Sequence, residues 1–323
     1  METSELDFFW VKDPLSGGKV KVVRRSSFSN RGRLLRRGKV RDIYISDEHL
    51  YIFSSDRVSS FDVVLPTLIP HKGESLHGLS VWWFERSRRI FPNHLVESID
   101  NRTMKVLRAE RLDIEWVVRG YLYGSLWREY KSGKRRFGDV TLPNGLQLAE
   151  ELPEPMLHPT TKSDVGHDLP ITRKEAIDKK LVSPEEWAQL EEAAISLYEF
   201  YRREAASRGI IIADTKMEFG RYDGTLIQID EPPTHDSSRL WSKSRYQIGV
   251  RQEASCLDKE FLREYLRRVG FSGEGEPPTL PDPIVAEVSK RCVGAYKVIS
   301  GSARMEDFQL KTVNEVMEEL EIE

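Results

Sequence analysis

The chain is short of several things, and each shortage removes a class of protein. Only two of its 323 residues are cysteine, Cys256 and Cys292. They lie too far apart in sequence to form a metal-spaced or redox pair, which argues against a disulfide framework and fits a reducing cytosol. No apolar run approaches the roughly 18 residues of a membrane span. Neither sign of charge dominates, with 49 basic against 52 acidic residues and a net of -3, so nothing draws the whole molecule to nucleic acid or an anionic membrane. The GxxxxGK[ST] spacing of a phosphate loop is absent, as is an HRD-type kinase loop. Internal repeats are also missing. The N-terminus has no continuous apolar stretch of the secretory kind, and Glu2, Glu5 and Asp7 do not suit an organelle transit peptide.

What remains is a chain with 39% hydrophobic residues, enough for one large domain or two moderate ones sharing a cleft. Residues 1–30 read as an extension that packs on the body through Phe8, Phe9 and Trp10, with a disordered tail as the alternative. Residues 34–65 alternate as strands joined by turns, Leu50–Phe53 being a buried run, so an antiparallel sheet is expected there. Residues 76–90 read as a helix whose Trp82 and Trp83 belong to the core. Residues 131–160 are rich in glycine, proline and charge, and read as long loops. The clearest helix is 184–208, with Ser183 as N-cap, Pro184 at its first position and Glu186 completing a capping box. Ile210–Ala213 and Leu226–Ile229 read as strands of a hairpin around Asp223-Gly224. Further helices are expected at 258–269, 284–299 and 305–321.

Chemistry concentrates at the strand ends. Alternation places Asp214, Lys216 and Glu218 on one face, and Asp230-Glu231 ends the strand opposite. Carboxylates so close are costly without a cation, and oxygen ligands of this kind suit magnesium beside nucleotide phosphates. A solvated ion-pair ladder is the plainer alternative, and the apolar flanks weigh against it. Gly38, Lys39 and Arg41 open the first hairpin: a glycine that lets backbone approach a ligand, and two cations on one strand face. Taken alone this is weak, since basic strand edges commonly serve only to prevent aggregation. Arg119 and Ser125 flank Gly120 and Gly124 after an apolar run, a pairing able to grip phosphate. Thr234 to Arg239 is a polar loop that, taken alone, reads as an ordinary turn.

Together these segments resemble the SAICAR synthase family over about residues 36–300. The pieces occur in the family's order: GKVRDIY (38–44), SSDRVSSFD (54–62), IPHKG (69–73), VVRGYLYGS (117–125), LPEPMLHPTTKSDVGHD (152–168), GIIIADTKMEFG (209–220), DEPPTHDSSRLW (230–241) and LDKEFLREYL (257–266). Eight pieces in order are highly specific.

The resemblance implies an α+β fold of two lobes. A smaller, kinase-like antiparallel-sheet lobe (31–115) would follow the extension (1–30) and sit over a larger α+β lobe with terminal helices (116–323), with ATP in the cleft between. It implies an ATP-dependent ligase that joins a carboxylated aminoimidazole ribotide to L-aspartate through an acyl phosphate. The cofactors would be ATP and Mg2+, and the partners small molecules, with no nucleic acid, no membrane and a cytoplasmic setting. The state would be a monomer or a small homo-oligomer. Gly38, Lys39 and Arg41 should meet ATP phosphates, and Glu218 and Asp230 the metal. Arg119, Ser125 and Arg239 should hold the ribotide phosphate. Asp214, Lys216 and Lys162 should face the reacting groups, with Asp62, Lys72 and Asp236 as further substrate contacts.

Some positions depart from the family pattern. His235 stands where proline is usual, His158 where threonine is, Leu169 where an acid is common, Asp113 for a frequent proline and Tyr123 for a small residue. Two extra residues fall near 254–256. These departures keep open a related ligase of a specialised nucleoside pathway, and a nucleotide-binding paralogue without turnover is the third reading.

Overall fold

The computed structural model describes residues 7–26, 32–162 and 169–321. The first third is strand-rich. β1 (Asp7–Lys12) and β2 (Lys19–Arg25) form an antiparallel hairpin. β3 (Arg33–Arg37), β4 (Arg41–Ser46) and β5 (His49–Ser54) follow, then the hairpin of β6 (Arg57–Ser60) and β7 (Val63–Leu68), and helix α1 (Lys72–Ser87). β8 (Leu95–Ser98) and β9 (Thr103–Leu107) return to complete a five-stranded antiparallel sheet, ordered β3-β4-β5-β9-β8. Of the antiparallel sheet expected over 34–65, β3, β4 and β5 are present and are completed by strands from 95–107, whereas β6 and β7 pair apart from it as a hairpin of their own.

β10 (Glu110–Tyr121) begins the second sheet and runs through the expected boundary at 115/116. After it come α2 (Gly124–Lys131), the short pair β11 (Arg136–Phe137) and β12 (Val140–Thr141), β13 (Glu151–Leu157), β14 (Thr160–Thr161), α3 (Arg173–Asp178) and α4 (Pro184–Ala206). β15 (Ile210–Tyr222), β16 (Thr225–Ile229) and β17 (Arg239–Ser242) complete the sheet, and α5 (Glu260–Arg268), α6 (Asp282–Ser300) and α7 (Val313–Glu319) end the chain. The sheet order is β13-β10-β15-β16, with β14 on β10 and β17 on β15. The result is the α+β fold expected from the sequence.

Helix α4 forms as its sequence dictates. Ser183 accepts from the Glu186 backbone and Glu186 reaches back, a capping box worth about 1 kcal/mol. Its stripe of Trp187, Leu190, Ala194, Leu197 and Tyr201 is buried against Trp116, Val118, Met217 and Phe219 of the second sheet. Trp83 joins the same core, fully buried. A second core packs α5, α6 and α7 against Ile211, Ala213 and Trp241.

β15 therefore has to satisfy both cores. Ile210 and Ile212 join the α4 core, as do Met217 and Phe219, which strict alternation forbids. A register irregularity between Ile212 and Asp214 in the pairing with β17 resolves the conflict. It shifts the phase of the strand as a bulge does, so that Asp214, Lys216 and Glu218 turn away from α4.

Four expectations need correction. The α1 helix starts at Lys72 and stops at Ser87, not 76–90. The 131–160 stretch contains β13, whose Pro153 and Pro155 are tolerated because it is an edge strand of its sheet. The helix expected at 305–321 is a short 3-10 turn at Met305–Asp307 and then α7, because a second capping box at Thr312 and Glu315 restarts the helix. In the extension, Phe8, Phe9 and Trp10 do not pack on the body: they are 42, 41 and 63% exposed, while Val22 and Val23 of β2 are buried. His167 and Asp168 of the quoted motif lie outside the described residues.

Candidate functional site

From Glu115 to Arg119, β10 pairs with β15 in an unbroken ladder that sets Arg119 opposite Asp214, Val117 opposite Lys216 and Glu115 opposite Glu218. Alternate residues on a strand stand roughly 6–7 Å apart. Three stations therefore run along one face of the second sheet.

At the first station, Asp214 is gripped from both sides. Arg119 Nη1 lies 3.2 Å from its Oδ2, and Arg239, its cross-strand neighbour on β17, pairs with the same oxygen. Arg119 Nη2 donates to Ser125 Oγ at 3.4 Å. Burial pulls the Arg119 guanidinium down from its ordinary value, with Asp214 opposing, whereas Arg239 is raised because Asp214, Glu260 and Asp258 outweigh burial. Gly124 closes this station from α2. It has φ 61, and a Cβ there would sit 2.4 Å from Arg239 Nη2, so only glycine lets the guanidinium lie against the backbone. Two guanidinium groups on one carboxylate leave a net positive charge, suited to an anion of phosphate geometry.

Lys216 forms the second station. Its Nζ lies 2.6 Å from Glu115 Oε1 and 3.8 Å from Glu218 Oε1. Burial acts to lower its pKa, but Glu115, Glu218 and Asp230 together raise it, so it stays charged.

The third station is acidic. β16 pairs Ile229 with Glu218, which brings the next residue, Asp230, beside it. Asp230 has φ 61, a left-handed turn that ends the strand. Burial, and then the neighbouring Asp230 charge, push Glu218 up to about 7, against Lys162, which pairs with it directly. Burial also acts to raise Asp230, but Arg41, Lys162 and Lys216 bring it below the usual carboxylate range. A cation would relieve the repulsion between these two carboxylates. Among the described residues no group of three His, Cys, Asp or Glu side chains is spaced to hold a metal. Magnesium needs only one or two carboxylates when phosphates supply the rest, so Glu218 and Asp230 suit it.

Facing these stations is the strand-rich part of the chain. Arg41 crosses to meet Asp230 and Glu231, with Nη1 3.2 Å from the Asp230 carbonyl and Nη2 3.2 Å from Glu231 Oε2. Its charge is already engaged, whereas Lys39 reaches outward and pairs with Asp62. Gly38 N donates to the Arg41 carbonyl at 2.8 Å, and a Cβ on Gly38 would meet that oxygen at 3.0 Å. The glycine closes a tight turn on its own backbone. Phe61 and Asp62 join β6 to β7 in a two-residue turn with φ 49 and 65. Such residues cost about 1–3 kcal/mol each outside glycine and cluster at functional sites.

Asp236 sits between two lysines, 2.9 Å from Lys72 Nζ and 3.1 Å from Lys259 Nζ. Burial opposes ionisation of Asp236, but Lys259 and Lys72 hold it well below the carboxylate range. Burial lowers Lys259 in turn, against the pull of Asp236. A cavity of about 310 Å3 is lined by Lys39, Asp62, Lys216, Asp236, Lys259 and Arg263, among others.

The structure thus gathers Lys39, Asp62, Lys216 and Asp236 around one cavity, with Lys72 behind Asp236. It places Arg119, Ser125, Asp214 and Arg239 together, and Lys162, Glu218, Asp230 and Arg41 together. The expected crowd of three or four carboxylates is reduced, because β16 reaches only as far as Glu218 and Asp214 lies beyond it among arginines. Sequence reading missed Glu115, Lys259 and Arg263. Glu115 carries no local signal, since only the ladder brings it to Lys216. Lys259 and Arg263 lie in the 257–266 segment one helical turn apart, a spacing that does signal a shared face.

Residues 34–279 match the family model described as SAICAR synthetase. The phosphoribosylaminoimidazole-succinocarboxamide synthase of Thermodesulfovibrio yellowstonii is 41% identical over 283 residues, covering 83% of this chain and 95% of that protein. The solved SAICAR-synthase of Saccharomyces cerevisiae complexed with SAICAR superposes with a TM-score of 0.78 at 32% identity, covering 87% of this chain and 98% of that one. A SAICAR synthetase structure in complex with ADP superposes at 0.59 with 25% identity, covering 76% and 99%.

Proposed function

The chain belongs to the SAICAR synthetase family, and from that premise we propose how its residues divide the work. It is an ATP-dependent ligase of purine biosynthesis, acting on small molecules. It condenses a carboxyaminoimidazole ribotide with L-aspartate and releases ADP and phosphate.

A carboxylate is a poor acyl donor, because its leaving group would be oxide. In our reading a ribotide carboxylate oxygen attacks the γ-phosphorus of ATP, the bond to the β-γ bridging oxygen breaks, and ADP leaves. The aspartate amine then attacks the acyl carbon of the mixed anhydride. The bond from that carbon to the phosphate oxygen breaks, and phosphate departs with the amine's proton. Both steps need positioning and charge neutralisation more than covalent help from the protein.

The three stations supply that positioning. Arg119, Arg239 and Ser125 take the ribotide phosphate, which replaces Asp214 as the arginines' partner. The freed Asp214 faces the amine of the imidazole. Lys216, one station on, meets the carboxylate to be phosphorylated and neutralises charge as it builds. Glu218 and Asp230 would hold Mg2+, which would neutralise charge on the ATP phosphates while the γ-phosphoryl passes to the carboxylate. Lys162 moves from Glu218 toward the transferring group. Gly38, Lys39 and Arg41 form the wall along which the ATP phosphates lie. Asp62 and Asp236 line the amine's side of the cavity, and Lys72, buried behind Asp236, fixes that carboxylate toward the substrate.

One observation supports this reading above the rest: the β10–β15 register aligns an anion station, a charged lysine and a carboxylate pair in one row. The test is ADP release by the purified protein, with ribotide and L-aspartate each left out in turn. Release that needs both, with one amide formed per ADP, supports it. Wild-type rates in Lys216→Ala would remove Lys216 from the reaction.

A further inference from the structure

The hairpin of β1 and β2 lies before residue 34, where the match to the family model starts, yet it is wired into the base of the phosphate-side turn. Val22 and Val23 are 1 and 2% exposed. Val23 N donates to Asp56 Oδ2 at 2.7 Å, and Asp56 N donates to the Val23 carbonyl at 2.8 Å. One residue on, the Arg24 carbonyl accepts from Arg57 Nη1. The same guanidinium donates from Nε to the Lys39 carbonyl at 3.0 Å. From Nη2 it donates to the Gly38 carbonyl at 3.1 Å and to Asp42 Oδ1 at 2.8 Å. Arg57 therefore ties β2 to the backbone of Gly38-Lys39 with one rigid planar group, which is 7% exposed.

A second connection runs to α1. Asp13, at the hairpin's turn, lies 3.0 Å from His71 Nε2, and His71 precedes Lys72 in a left-handed conformation with φ 64. The other oxygen of Asp56 accepts from Gly73 N at 2.8 Å, on the far side of Lys72. The hairpin thus meets His71 directly, reaches Gly73 through Asp56 and, through Arg57, reaches the carbonyls of Gly38 and Lys39.

We propose that the N-terminal hairpin is a brace that fixes the Gly38–Arg41 turn for the nucleotide, with Arg57 as the positioning residue through which it acts. The physical reason is preorganisation. A short turn ending at an exposed Lys39 samples many orientations, and holding two of its carbonyls on a guanidinium anchored to a second element removes that freedom before ligand arrives. No hairpin side chain need touch the nucleotide. The aromatics of β1 stay exposed on both faces of that strand, and the buried Val22 and Val23 of β2 do the docking.

The inference rests on the reading that the turn at 38–41 binds ATP phosphates, so Lys39→Ala is measured beside it. In the full-length chain, Val23→Asp places a charge between Asp56 and the buried strand and undocks the hairpin. Undocking is read by rapid proteolysis at Lys19 to Arg25. The expected result is about tenfold weaker ADP binding, with ribotide affinity unchanged within twofold. Arg57→Lys should weaken ADP comparably, and combining it with Val23→Asp should add little, since both cut one connection. If Val23→Asp does not fold, Val23→Ala and Asp13→Ala replace it, and ADP affinity should fall in step with protease sensitivity. A freed hairpin with unchanged ADP affinity overturns the brace, as does equal weakening of ADP and ribotide. Unchanged ADP affinity in Lys39→Ala would instead overturn the assignment of the turn, and the brace with it.

Discussion

Glu115 stands directly across the β10–β15 ladder from Glu218, and Lys216 Nζ leans to Glu115, 2.6 Å away against 3.8 Å to Glu218. The lysine is thereby held on the site face by a carboxylate that needs no role of its own toward substrate. Glu115→Gln keeps the shape and removes the charge. We expect kcat to fall about tenfold, about 1.4 kcal/mol of barrier, with the ribotide KM little changed. Steady-state kinetics with saturating ATP would check it, and a change confined to KM would count against this role.

Arg119 and Arg239 are both oriented by the same oxygen of Asp214. Removing either should mainly raise the ribotide KM, by roughly 30- to 100-fold for a loss of about 2–3 kcal/mol of charge-assisted hydrogen bonding. The KM for ATP should move far less. A drop in kcat alone, at constant KM, would place these arginines away from the ground-state phosphate.

Gly124 offers a backbone test of the same station. Gly124→Ala puts a methyl 2.4 Å from Arg239 Nη2 in a residue with φ 61. The expected outcome is about 1–2 kcal/mol of lost stability together with a raised ribotide KM. Thermal unfolding and kinetics on one preparation would show whether the two losses occur together.

His77 links stability to pH. It is 3% exposed, its Nε2 lies 2.8 Å from Ser98 Oγ, and burial, aided by Arg41 and Arg102, brings its pKa down from 6.5 to about 4. The neutral form is the folded form. Its contribution is therefore whole above pH 6.5 and is lost as pH falls toward 4, up to about 3 kcal/mol for that shift. His77→Gln should flatten this limb of a urea-midpoint profile between pH 7 and 4. An unchanged slope would mean that other groups carry the loss.

The sequence made the helices and the row of charged residues legible because both obey local rules. Ser183, Pro184 and Glu186 announce α4 through capping chemistry alone. Alternation from Asp214 to Glu218 announces a shared face. What stayed hidden is set by long-range pairing. The β13 strand looks like loop because its prolines suit an edge, and nothing local says that it is one. Glu115 belongs to the site only because β10 meets β15 in a particular register. Arg41 looks like a free phosphate ligand in sequence, and only the fold reveals Asp230 and Glu231 waiting for it. The aromatics of the first strand invite burial, yet the less conspicuous valines of the second take that place.

The phase shift in β15 bears on how such a chain can change over generations. Up to Ile212 the strand answers to one side of the sheet, and beyond Asp214 the opposite parity does. Substitutions along it exchange one side chain for another and leave every other residue facing where it did. Losing or gaining a single residue between Ile212 and Glu218 would instead turn the carboxylates and the lysine into the α4 core and bring Met217 and Phe219 out toward the ligand. Drift in this segment should therefore run through replacements at fixed length, and length polymorphism should collect in the connections around it.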